Sequence, residues 1–395
     1  MQVWKMTTIA ECSTILGDGL HGTPKYDEKG EYAFINGNNL HDGKIVIKSD
    51  TKRVGFSEYE KHKKELTDRT VLVSINGTLG NIAVYNGEKV ILGKSACYFN
   101  VSTDCDVQFM RYVVSSPRFQ QYINSVATGT TIKNVSLKQM REYSFLIPEL
   151  EEQQHIAKVL NLLDQKIENN QKINDNLYAQ ARTITNQWIS ENDNDYELLP
   201  LSEVAAINPD TYSPKEEWEY VNYLDTSSIT DGYITDIQRI TPSTEKLPSR
   251  ARRIIVSNDV VFSTVRPNQR HFGIISEPLP NMLASTGFAV IRSKNPLVCN
   301  ELIYLCLTDN AFIEKMQQLA EQSTSTFPSI KPSDLGVCEI PCPKDDFSRN
   351  LTETLKAMFA LIAANHRENT SLAELRDSLL PKLMAGEIDV SDIQM

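Results

Sequence analysis

Residues 148–190 read PELEEQQHIAKVLNLLDQKIENNQKINDNLYAQARTITNQWIS, and their pattern decides the architecture. Ile156, Leu163, Asn170, Leu177 and Ile184 recur at seven-residue intervals, with Val159 and Ile173 in a second column and Leu160 and Ile167 beside it. Two columns on a seven-residue repeat make the seam of a coiled coil, narrower than the stripe of an ordinary surface helix. No glycine or proline interrupts the run until its end. Pro148 suits a helix start, and Glu149, Glu151 and Glu152 put negative charge where the helix dipole favours it. The stretch therefore predicts one long helix carrying a polar residue, Asn170, near the middle of its seam.

The same pattern returns at the end of the chain. Residues 343–383 read PKDDFSRNLTETLKAMFALIAANHRENTSLAELRDSLLPKL. Adding 195 to the seam positions gives Leu351, Met358, Asn365, Leu372 and Leu379, and Pro148 maps to Pro343. Asn170 to Asn174 and Asn365 to Asn369 share the pattern Asn-x-(Lys/Arg)-x-Asn. Two copies at this interval imply a duplicated unit of domain plus helix. The segments before each helix match in order. NDVVFSTV (258–265) answers DRTVLVSI (68–75), and TGFAVIR (286–292) answers SACYFNV (95–101). A helix over 301–318 answers one over 107–123, and 324–343 answers 128–148. Short β-like runs at 70–75, 81–85, 89–93 and 96–101, with Asn-Gly pairs at 36–37, 76–77 and 86–87, give an α+β unit weighted toward strands.

Several motifs fail on inspection. Gly17-Asp18-Gly19-Leu20-His21-Gly22 has the spelling of a dinucleotide loop, but Thr23-Pro24 follows where a helix would have to open. Residues 87–95, GEKVILGKS, miss a phosphate loop by one residue, and Val90, Ile91 and Leu92 read as a buried strand. No spacing of acids, histidines or cysteines forms a catalytic or metal-binding set, and nothing marks a site for S-adenosylmethionine. The chain reads as non-catalytic, with no cofactor and no metal of its own. Seven scattered cysteines read as reduced thiols, and no signal peptide or membrane span is apparent, so a cytoplasmic protein is expected. The net charge of −11 divides as +3 over residues 1–147, −6 over 148–197, −5 over 198–342 and −3 over 343–395. Much of the acid thus lies in the helices, where partner proteins rather than phosphates could sit.

The segment IPELEEQQHIAKVLNLLDQKIENNQKIN, together with SLLPKLMAGEIDV at 378–390, resembles the helical regions of the specificity subunits of type I restriction–modification systems. The resemblance covers the whole chain. It implies two α+β target-recognition domains, related by a pseudo-twofold axis and separated by two long antiparallel coiled-coil helices. The expected segments are 1–147 (first recognition domain), 148–195 (central spacer helix), 196–342 (second recognition domain) and 343–395 (C-terminal spacer helix and tail). The tail from Ala385 to Met395 is expected beside the first domain. It further implies that each domain reads one half of a bipartite target in double-stranded DNA while the helices set the spacer. Two methyltransferase subunits and the restriction subunits would be the partners, and they would carry S-adenosylmethionine, ATP and magnesium. A coiled-coil scaffold that binds only proteins is the alternative.

Polar loops beside strands are the expected DNA contacts, because Arg, Lys, Asn, Gln, Ser and Thr can pair with base edges or phosphates. In the first domain these are Ser74, Asn76 and Thr78, with Thr131, Lys133 and Asn134. In the second they are Arg266, Asn268, Gln269 and Arg270, with the loop 325–331 ending at Lys331, and a basic cluster of Arg250, Arg252 and Arg253. Asn170 and Asn365 are expected to face each other and fix the helix register, flanked by Leu163, Leu177, Met358 and Leu372.

Overall fold

The computed structural model describes residues 4–191, 195–213, 215–323, 327–344 and 349–390. The chain forms two compact units: Met1–Glu168 with Asn369–Met395, and Asn169–Glu368. Each unit therefore takes part of both long helices.

The first unit is built on a four-stranded antiparallel sheet in the order Ser13–Asp18, Ala96–Val101, Thr70–Ser74, Ile82–Val84. Its central strands are apolar on both faces because both faces are covered, and every residue of Thr70–Ser74 and Ala96–Val101 is buried. A second sheet joins Arg53–Val54, Tyr32–Ile35 and Val90–Leu92, the last two in parallel. This accounts for the failed phosphate loop: Val90, Ile91 and Leu92 are the buried residues of the strand at one edge of this sheet. Gly19 is likewise structural, since a side chain there would meet the Leu92 carbonyl oxygen at 2.1 Å. Lys5–Thr8 pairs with Ser144–Ile147, the strand that leads into the central helix.

The second unit repeats this plan. Its sheet runs Ala205–Ile207, Phe288–Ser293, Asp259–Ser263, Phe272–Ile275. A second sheet contains the parallel pair Val221–Leu224 and Met282–Ser285, and Tyr196–Pro200 pairs with Glu339–Pro343. Both expected helices behind the sheet are broken in two. Ser116 caps Pro117–Val126 after Val107–Ser115, and Asp309 caps Asn310–Glu321 after Asn300–Leu307. In each case a capping side chain competes for backbone amides and starts a new helix.

The central helix runs Leu150–Glu191 and the C-terminal helix Arg349–Met384. Pro148 thus precedes the helix rather than opening it, and Pro343 ends a strand. The seam differs in one column from the sequence reading. Ile173 is 44% exposed, and the buried residues lie four positions after the first column: Leu160, Asn174 and Ala181, with Leu355 and Ile362 on the other helix. Pairing is antiparallel within each unit. In the first, Ile156 and Leu160 share a core with Leu380 and Leu383. In the second, Ala181 shares a core with Leu351, Leu355 and Phe359. Leu163, Leu177, Met358 and Leu372 are half-buried. Asn170 and Asn365 are both buried, and each donates to a residue of the opposite helix. Asn365 Nδ2 donates to Asn174 Oδ1 at 2.7 Å, and Asn170 Nδ2 donates to Glu368 Oε2 at 2.7 Å. The tail packs in the first unit, with Val390 buried and Gly386 against the Trp4 ring; residues 391–395 lie outside the described residues.

Candidate nucleic-acid interface

In both units the polar loops converge at the end of the buried central strand. In the first, Ser74 is fully buried and turns the chain, its hydroxyl donating to Thr78 O at 2.7 Å and accepting from Asn81 N at 2.9 Å. Gly77 follows at φ +76°, and its amide donates to Lys133 O at 3.0 Å. Val135 N donates to Ile75 O at 2.9 Å, and Asn76 Nδ2 to Asn134 Oδ1 at 3.0 Å. The two loops are thereby fastened together, with Thr78, Thr131 and Lys133 exposed and Asn76 and Asn134 half-buried.

The second unit uses the same backbone device. Ser263 is buried and its hydroxyl donates to Val265 O at 2.9 Å. Arg266 takes the left-handed position of Gly77, at φ +48°, and its amide donates to Pro328 O at 2.9 Å. Ile330 N donates to Thr264 O at 2.9 Å. Asn268, Gln269 and Lys331 are exposed, and the Arg266 guanidinium lies 4.8 Å from the centre of the Phe327 ring. Ser325 and Thr326 lie outside the described residues.

Some of the expected contacts have other work. The Ser74 side chain is enclosed by its own turn, so no surface is left for a base. Arg270 is held inside the unit, Nε donating to Asp231 Oδ1 at 2.5 Å and Nη1 to Asn310 Oδ1 at 3.0 Å. Arg252 and Arg253 lie on Ala251–Ile254, a strand of the other sheet, and are half-buried; Arg250, just before it, is exposed. Burial lowers the pKa of Arg253.

Sequence reading missed two clusters where the units meet their helices. In the first unit Asp164 accepts from Arg376 Nη1 at 2.8 Å and Tyr112 Oη at 2.7 Å, and pairs with Arg111. In the second, the position 195 residues on is Phe359, which packs edge-on to Tyr178 and Tyr304, with ring centres 5.4 and 5.7 Å apart. The same junction is thus ionic once and aromatic once. Asp164 and Arg376 are far apart in sequence, and nothing local announced the pair. Among the described residues no group of acids, histidines or cysteines could hold a metal, all seven cysteines are free, and no helix is long and apolar enough to cross a membrane.

Comparison with known proteins agrees with the duplicated plan. Residues 1–179 match a family model described as the type I restriction modification DNA specificity domain. The type I restriction enzyme HindI specificity subunit of Haemophilus influenzae is 25% identical over 133 residues, covering 34% of this chain and 29% of that protein. The MjaIX specificity subunit of Methanocaldococcus jannaschii is 22% identical over 363 residues, covering 85% and 82%. The crystal structure of a type I restriction-modification S subunit from M. genitalium superposes with a TM-score of 0.58 at 19% identity over 97% of this chain and 96% of that one, a likeness of fold. With residues 1–179 matched to that domain and the plan repeated in the second unit, the chain is similar in sequence and fold to the specificity subunits of type I restriction–modification systems.

Proposed function

We propose that this chain is the DNA-reading subunit of a type I restriction–modification complex, and that each unit reads one half of a bipartite target. The observation that carries the reading is that one loop pair occurs twice on the same backbone but with different outward side chains. Thr78, Thr131 and Lys133 are exposed in the first unit with Asn76 and Asn134 half-buried beside them, and Asn268, Gln269 and Lys331 are exposed in the second with Arg266 half-buried. Fixed loops with interchangeable polar ends are what sequence readout requires, since amides and guanidinium groups pair with base edges and lysines with phosphates. The long helices join the two readers and set the gap between the half-sites.

The chain itself is non-catalytic in this proposal. Two methyltransferase subunits bring S-adenosylmethionine chemistry, and restriction subunits bring ATP and magnesium. The acidic helices are the natural place for protein partners, and the cytoplasm is where the complex would meet DNA.

Selection from random duplexes, using the chain co-purified with its methyltransferase subunits, tests the reading. Enrichment of one interrupted two-part sequence is expected. Binding with no sequence preference would leave a protein scaffold as the better account. The chain alone, incubated with labelled S-adenosylmethionine and the selected duplex, is expected to transfer no label.

A further inference from the structure

Single exposed apolar side chains are ordinary on a protein surface and carry no message. One that recurs at an equivalent place in two units of different sequence is another matter. Ile132 is 61% exposed in the first unit, and Phe327, 195 residues on, is 53% exposed in the second. Their equivalence is set by the backbone. Each immediately precedes the residue, Lys133 or Pro328, whose carbonyl accepts from the left-handed turn at Gly77 or Arg266. The surroundings are polar, with Thr130, Thr131 and Lys133 exposed around Ile132 and Lys331 exposed near Phe327.

Both tips are held. Gly129 stands at φ +98°, and a side chain there would meet Ile132 O at 2.3 Å, so only glycine lets the loop close under the tip. In the second unit the Arg266 guanidinium over the ring orients Phe327 and places positive charge beside it. A second recurrent pair, Met6 at 61% and Leu198 at 52%, lies on the strands Lys5–Thr8 and Tyr196–Pro200 and not on these loops.

From this we infer that Ile132 and Phe327 are DNA wedges, each entering the base stack at its own half-site. The inference rests on the DNA-reading function proposed above. Apolar side chains inserted between base steps unstack them and open the duplex. A rigid, pre-formed tip loses little freedom on entering. Chemistry on a base requires that base to leave the stack, and a wedge beside it lowers the cost of leaving. Phe327 can also stack on a base face, which Ile132 cannot, so the second half-site depends more on its tip.

The test uses the chain co-purified with its methyltransferase subunits and the duplex mapped for the wild type. Phe327→Ala and Ile132→Ala are compared with Phe327→Trp and Ile132→Leu, on the intact duplex and on duplexes with one abasic position. Phe327→Ala is expected to weaken binding roughly 5- to 150-fold, the range found when a stacked aromatic is removed. The salt dependence should stay the same, because no charge is lost. Phe327→Trp should bind nearly as the wild type, and one abasic position in the affected half-site should recover most of the loss. Ile132→Ala should behave likewise, more weakly, in the other half-site. Unchanged binding by both alanine variants overturns the inference. So does a loss that no abasic position recovers, or one reproduced in the wild type by replacing a thymine with uracil, which would mark a methyl contact. If the wild type itself shows no sequence preference, the DNA-reading function falls first, and the wedge with it.

Discussion

Asn365 donates from Nδ2 to Asn174 Oδ1 across 2.7 Å in the seam between the two long helices of the second unit, and Asn174 is fully buried. Asn174 Nδ2 in turn faces Ile362 O at 3.5 Å. An amide pair in an apolar seam gives up stability and gains register, because sliding the helices would leave both amides without partners.

Asn174→Leu alone should therefore cost about 1–3 kcal/mol, the price of leaving a buried amide unsatisfied. Asn174→Leu with Asn365→Leu should regain most of it or exceed the wild type. Urea denaturation of the three variants measures this. A neutral single substitution would show that the pair is not fixed in solution.

The ionic junction of the first unit makes a pH prediction. Burial raises the pKa of Asp164, but hydrogen bonds from Arg376 and Tyr112 and the charge of Arg111 outweigh it, and the net shift is downward from 3.8. A lowered carboxylate pKa contributes stability above the unfolded value, and that contribution is lost as pH falls through the folded value. Asp164→Asn should cost about 3 kcal/mol at neutral pH, as removal of one partner of a buried charge pair does. It should also flatten the decline in stability below about pH 4. Melting curves between neutral pH and pH 3 decide it; an acid limb as steep as the wild type's would assign the decline to other groups.

The two sheets solve one buried position differently. In the second unit Arg292 Nε and Nη2 donate to the fully buried Asp259 at 2.7 and 2.9 Å, and Nη1 to Asp210 at 2.8 Å. In the first, Thr70 Oγ1 donates to Asn100 Oδ1 at 2.6 Å at the corresponding sites. Arg292→Asn alone should cost about 3–5 kcal/mol by stranding the Asp259 carboxylate. Adding Asp259→Thr should recover much of that loss, and calorimetry on the pair would show whether it does.

Among the outward side chains, Lys133 and Lys331 are expected on phosphates. Replacing either by alanine should weaken binding to all sequences alike and reduce the slope of log K against log salt by about one. Gln269→Ala should instead relax preference at one position of one half-site. Binding isotherms at several salt concentrations, on cognate and altered duplexes, separate the two behaviours.

The strands and the duplication were legible because TVLVS at 70–74 and DVVFS at 259–263 are buried on both faces and carry an apolar run for each. The seam was half legible. Its first column stands out at seven-residue intervals, but the second is carried by Leu160, Asn174 and Ala181, and the apolar Ile173 beside Asn174 pulls the pattern one residue out of phase. Asn174 was nevertheless visible in the repeated Asn-x-(Lys/Arg)-x-Asn pattern. In the candidate site, residue type located the loops but not the fate of each side chain. Ser74 and Arg270 look outward in a string of letters, yet the turn encloses one and Asp231 holds the other. Pairing of the loops through Gly77 and Arg266 depends on backbone contacts between segments far apart in sequence.

The reading of one half-site by each unit is tested most directly by a methylation map of cells carrying this chain with residues 1–147 replaced by the matching segment of a relative with a different target. The account predicts that one half of the methylated sequence changes while the other half and the gap between them stay as they were. A map in which both halves change, or neither does, would contradict it.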